Sequence, residues 1–114
     1  MSELEIEIET LGDNIVLIKP SGYLDAHTFE QLESTIQEIF ENQTYRLIVN
    51  LEEVNYISSA GAGVFIGAIS QAHENSGNII FLSPSPNVQD VFDLLGLSQI
   101  FSFASQIEEA LEKF

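Results

Sequence analysis

The sequence predicts an α/β fold: a mixed β-sheet of about five strands with four helices, in the order β-β-α-β-α-β-α-β-α. Three observations predict it. Apolar residues make up 45% of the 114 residues, which is enough to build a core, and the length suits one domain spanning 1–114. Short apolar runs, alternating or β-branched, take turns along the chain with segments of helical period. That alternation implies parallel strands joined by right-handed crossovers. The first two strands are separated by a turn alone, so one pair is antiparallel and the sheet is mixed.

Each element follows from its residues. Leu4, Ile6 and Ile8 alternate with Glu3, Glu5, Glu7 and Glu9, which reads as a half-exposed strand whose acidic face protects a sheet edge. Gly12-Asp13-Asn14 is a turn, and Ile15 to Lys19 is the second strand, ended by Pro20. Asp25 is the expected N-cap of a helix over about 26–41. Ala26, Phe29, Leu32, Ile36, Ile39 and Phe40 share one side of that helix, and Glu30, Glu33, Gln37, Glu38 and Glu41 the other. Arg46 to Leu51 is a continuous apolar run, expected of a strand covered on both faces. Ser58 or Ser59 caps a second helix over about 60–75, and Asn78 to Leu82 is the next strand. Pro86 suits the first turn of a third helix that buries Val88, Val91, Phe92 and Leu95 and stops at Gly96. Ile100 to Phe103 is a last strand. Ser105 and Glu108 have capping-box spacing before a final helix with Ile107, Ala110, Leu111 and Phe114 in one stripe.

Composition excludes several functions. Eighteen acids against three bases give a net charge of −15, which argues against nucleic acid and against a basic membrane-surface helix. There is no cysteine, so disulfide scaffolds, cysteine-ligated zinc and thiol nucleophiles are out. Met1-Ser2-Glu3-Leu4-Glu5 has neither a basic nor an apolar leader character, so the cytoplasm is the expected compartment. The uncharged stretch from Val54 to His73 is broken by Asn55, Ser58, Ser59 and three glycines, and direct membrane insertion is not expected. Residues 1–53 hold 12 acids, 54–107 hold 3, and 108–114 hold 3. The nearly neutral stretch contains the second and third helices, which are expected to share a partner-docking face.

The segment most open to chemistry runs from Tyr56 to Ala68. Two hydroxyls, Ser58 and Ser59, stand at a helix start, and Gly61, Gly63 and Gly67 lie within its opening turns. Mid-helix glycine costs about 0.8–1 kcal/mol relative to alanine. Either close packing beneath the helix or close approach of another surface would repay that cost. A phosphate on Ser59 would be held by free helix N–H groups and would oppose docking of an apolar surface. No P-loop, serine-hydrolase elbow or metal-ligand spacing is present, and His27 and His73 are far apart in sequence. No catalytic residue, cofactor or metal site is therefore expected.

At these residues the sequence resembles the STAS family of anti-sigma factor antagonists and sulfate-transporter tails. The resemblance spans essentially the whole chain. It is carried by the opening hairpin, Gly22-Tyr23-Leu24-Asp25, the Arg46 to Leu51 strand, the Tyr56 to Val64 segment, and Phe92-Asp93-Leu94-Leu95-Gly96-Leu97. In bacterial members the central motif usually reads Asp-Ser-Ser/Thr-Gly-Leu-Gly, and its first serine is phosphorylated. Alignment on Gly61 and Gly63 puts Ser59 at that position. Ser58 then stands where the family has Asp, which makes Ser58 the alternative phosphosite, and Ala60 replaces Ser or Thr.

The resemblance implies a non-enzymatic partner-switching module. When unphosphorylated, it would bind an anti-sigma factor that is also a serine kinase of the histidine-kinase-like ATPase type, releasing the sigma factor. A PP2C-type phosphatase would reset the switch. The implied partner surface comprises Asp25, Ser58, Ser59, Ala60, Gly61, Ala62, Gly63, Phe65 and Ile66. The alternative is an unphosphorylated scaffold or an accessory subunit of a membrane transport complex.

Overall fold

The computed structural model describes residues 4–114, so Glu3 of the acidic stripe lies outside the described residues. Six strands and four helices follow in the order β1 (Glu5–Thr10), β2 (Ile15–Leu24), α1 (Phe29–Glu41), β3 (Arg46–Asn50), β4 (Val54–Ile57), α2 (Ser59–Glu74), β5 (Asn78–Leu82), α3 (Pro86–Leu94), β6 (Ser102–Ala104) and α4 (Ile107–Leu111). A 3-10 turn, Leu97–Gln99, joins α3 to β6. The sheet runs β1-β2-β3-β5-β6, with β4 beside the far end of β2. β1 is antiparallel to β2, and every other pair is parallel. The mixed α/β class is as the sequence predicts, with one strand more.

The added strand is β4. Its buried residues, Val54 and Ile57, are three apart, so no period of two marks it. Pro20 does not end β2, which runs ten residues through it. β2 pairs with β3 over Ile15–Ile18 and with β4 over Gly22–Leu24. Pro20 falls between the two, where no parallel ladder bond needs its missing N–H. Gly22, at φ 116°, takes up the shift in register that follows it, a conformation that side chains disfavour.

The layers follow from the alternation along the strands. Leu47, Val49, Phe81 and Ile18 face Leu32 and Ile36 of α1, Phe65 of α2, and Val88 and Phe92 of α3. Ile15, Ile48, Ile80 and Ala104 face the other way, toward Ala110 of α4 with Ile107 and Phe114 beside it. Phe81 centres an aromatic cluster, with Phe101 stacked on it at 4.7 Å and Phe65 edge-on at 5.0 Å between centroids.

Several local expectations need correction. α1 begins at Phe29, with Thr28 as its N-cap residue, and Ala26 is exposed. Asp25 and Thr28 close a turn of their own first: Phe29 N–H donates to the Asp25 carbonyl at 2.9 Å. Ile8 is 54% exposed because a hollow lined by Thr10, Thr35 and Glu38 separates the outer part of β1 from α1. Leu95 is also exposed. Gly96, at φ 75°, turns the chain there, so Leu97 and Phe101 reach the core in place of Leu95 and Ile100. β6 accordingly begins at Ser102. The last helix lacks the expected capping box: its N-cap residue is Gln106, and Ser105 N–H donates to Glu109 Oε1 at 2.8 Å. Leu111 is exposed. The helix lying along α2 is α1, joined by a 2.9 Å bond from Gln37 Nε2 to Gln71 Oε1. α3 instead rests mainly on β4 and the 3-10 turn.

Candidate functional site

β2 and β4 run side by side and end together. Leu24 is the register partner of Ile57, and Ser58 N–H donates to the Leu24 carbonyl at 2.9 Å. The residues leaving the two strands, Asp25 and Ser58, therefore emerge together at the carboxyl ends of the strands. Ligands of open α/β sheets bind outside the carboxyl ends of strands.

Asp25 is organised locally. Its Oδ1 accepts the His27 N–H at 2.9 Å, its own N–H donates to Thr28 Oγ1 at 2.9 Å, and the Thr28 hydroxyl donates to the Tyr23 carbonyl at 2.8 Å. The carboxylate is thereby fixed beside the start of α2 without serving as a helix cap.

Ser58 is the N-cap of α2, and its Oγ accepts the Gly61 N–H at 3.2 Å. Its hydroxyl is engaged and partly buried. Ser59, the first helical residue, is exposed. The backbone N–H groups of a first helical turn favour negative charge, and this first turn carries no acid.

The glycines divide between the two explanations. A Cβ on Gly61 would lie 2.6 Å from the Leu24 carbonyl oxygen and 2.8 Å from Leu24 Cγ. Gly61 lets the first turn of α2 press on Leu24 at the end of β2. A Cβ on Gly63 or Gly67 would meet nothing within 4 Å, and both are exposed.

The expected partner residues divide in the same way. Ser59, Gly63 and Ile66 form an exposed stripe that Ser70 continues, none of them charged, with Ala60 half-buried beside it. Gly61, Ala62 and Phe65 are buried. They lie on the side of α2 that packs on the sheet and cannot offer side chains to a partner. Their place in the expected surface is corrected to that of its support.

Sequence reasoning passed over Tyr23 and Tyr56. They are register partners on β2 and β4, both about half exposed, with ring centroids 6.0 Å apart. The signal was a repeated pattern, Tyr23-Leu24-Asp25 and Tyr56-Ile57-Ser58, which marks two strands ending in register.

Among the described residues no cluster of His, Cys, Asp or Glu could hold a metal ion, and no helix is long and apolar enough to cross a membrane. His27 belongs to the Asp25 turn, and His73 Nε2 lies 3.0 Å from Asn78 Oδ1. The hollow lined by Glu7, Leu17, Lys19 and Asn50 belongs to the β1–β2 end of the sheet.

Known proteins agree with this geometry. The chain is 31% identical over 98 residues to the anti-sigma-B factor antagonist of Staphylococcus epidermidis, covering 85% of this chain and 91% of that protein. It is 30% identical over 111 residues to the anti-sigma F factor antagonist of Lysinibacillus sphaericus, covering 96% and 94%. The unphosphorylated form of the anti-sigma factor antagonist SpoIIAA superposes with a TM-score of 0.82 at 29% identity, over 96% of this chain and 95% of that one. An anti-sigma factor antagonist from Mycobacterium paratuberculosis shares the fold, with a TM-score of 0.85 at 20% identity, over 97% and 93%. The STAS domain model matches residues 5–110, and the chain belongs to the STAS domain family.

Proposed function

We propose that this chain is an anti-sigma factor antagonist, a cytoplasmic partner-switching module that spans residues 1–114 and has no catalytic activity of its own. Its partner is an anti-sigma factor that doubles as a serine kinase of the histidine-kinase-like ATPase type. The unphosphorylated chain binds that partner and frees the sigma factor. Phosphorylation of Ser59 ends the binding, and a PP2C-type phosphatase restores it.

The observation that carries this reading is the position of Ser59. It is exposed at the first helical residue of α2, while Ser58 is committed to the cap. A phosphate adds a charge of about −1.5 to −2. On the uncharged stripe of Ser59, Gly63 and Ile66 that charge must be desolvated whenever a partner docks. Relatives of 30–31% identity named as anti-sigma factor antagonists support the partner class.

The test is calorimetric binding to the purified anti-sigma factors of the source organism. Wild type and Ser59→Ala are expected to bind one of them with equal affinity. Ser59→Asp is expected to bind it at least about tenfold more weakly, since a charge left unpaired in an interface costs more than 1.4 kcal/mol. Equal binding of Ser59→Asp and wild type would overturn the switch.

A further inference from the structure

Tyr23 and Tyr56 have an arrangement that stability does not explain. They are 47% and 48% exposed. The residues that follow them, Leu24 and Ile57, face the core of α1, α2 and α3. The two rings therefore stand together outside that core, tilted by 47° to one another. Paired tyrosines left half in water gain little from folding, whereas tyrosine is enriched where a partner buries it. Tyr56 is three residues from Ser59, which places the two Cα atoms within about 11 Å along an extended chain. The strand end that carries the ring pair thus leads directly into the helix start that carries the switch serine.

The surroundings select the occupant. Asp25 follows Tyr23 by two residues. Gly22 N–H donates to the Glu53 carbonyl at 2.9 Å, which draws the Glu52-Glu53 turn beside β2. Glu5 is the register partner of Ser21, two residues before Tyr23. The only bases of the chain are Lys19, Arg46 and Lys113, and none belongs to the strand ends that carry the rings. The negative ring faces and the acidic surroundings both favour a cation. A planar guanidinium stacks on aromatic rings better than an ammonium does.

Resting on the function proposed above, we infer that Tyr23 and Tyr56 form an anchoring subsite for an arginine side chain of the anti-sigma factor that docks over Ser59. The docking surface then wraps from the exposed stripe of α2 around the ends of β2 and β4. Asp25, which follows the ring-bearing end of β2, adds negative charge at the same strand end.

The test uses Tyr→Phe, Tyr→Leu and Tyr→Ala at both positions in the full chain. Each is titrated against the anti-sigma factor that binds wild type, and Ser59→Asp runs alongside. Thermal melts check that every variant folds, which is expected of substitutions at exposed rings. The Phe variants should bind within about threefold of wild type. The Leu and Ala variants should each bind about tenfold more weakly, with a shallower dependence on salt. Leu binding as tightly as Phe would overturn the arginine subsite. Ala binding like wild type while Ser59→Asp fails would overturn the subsite and leave the switch standing. Failure of wild type to bind any anti-sigma factor would overturn both.

Discussion

Two glycines two residues apart, on opposite faces of α2, have opposite jobs, and the difference can be measured. Gly61 lies against the Leu24 carbonyl, where a methyl group would have to displace backbone. Gly61→Ala is expected to destabilise the fold by about 1–3 kcal/mol, as overpacking does. Gly63 looks into open space, so Gly63→Ala should gain about 0.8–1 kcal/mol of helix propensity. It should still weaken partner binding, because the added methyl stands on the docking stripe. Urea unfolding of both variants checks the pair, and a Gly61→Ala chain as stable as wild type would show that the first turn of α2 is not pressed on β2. Ser58 and Ser59 differ as sharply: one hydroxyl is held in the Gly61 N–H bond and the other faces solvent. The two serines were visible in the sequence, but their division of labour depends on which one begins the helix, and that is fixed by the Ser58 N–H bond to Leu24.

At the scale of the elements, the end of α3 carries an acid with a shifted titration. The Ser98 hydroxyl donates to Asp93, and Gln89 Nε2 donates to it at 3.1 Å. The Ser98 bond foremost, then the Gln89 bond, holds the Asp93 carboxyl below the usual carboxylate range. A depressed folded-state pKa adds stability that is present above the unfolded value, about 3.9 for Asp, and is lost as pH falls through the lower folded value. An NMR titration should therefore find Asp93 titrating below the ordinary aspartate range, and Ser98→Ala should raise its midpoint toward that range. No change in Ser98→Ala would refute the cause. The same junction shows where the sequence stops being legible. The helical period of α3 points Leu95 inward, but the left-handed Gly96 hands the core position to Leu97. Strong periodicity located α2, β3 and β5 to within about a residue. It did not locate β4, whose burial depends on lying beside β2, or the last five residues of β2, which pair first with β1 and, from Gly22, with β4. Asp25 was legible as a helix-start residue. The helix starts later because Asp25 and Thr28 close a turn of their own, in which the Tyr23 carbonyl accepts the Thr28 hydroxyl, a contact with no trace in periodicity.

Over the whole molecule, the net charge of −15 is arranged around the switch. Glu30, Glu33, Glu38 and Glu41 are exposed on α1, the helix that lies along α2. Glu33 shares a hollow with Val64 and Gly67 of α2, so the stripe of Ser59, Gly63 and Ile66 is a neutral strip with an acid at its border on that side. A partner that binds there meets apolar and backbone surface first, and its basic groups find the acids at the rim. One phosphate converts the strip to the sign of its border and removes the contrast. This account requires the modification to fall on Ser59 and nowhere else on the surface, although Ser70 on the same strip and exposed serines off it, such as Ser34, Ser76 and Ser105, are available. The most direct test is to incubate the chain with its anti-sigma factor and ATP and to map the phosphate by mass spectrometry. The account predicts a single phosphate on Ser59, lost in Ser59→Ala and retained in Ser58→Ala. A phosphate on any serine other than Ser59, or none at all, would contradict it.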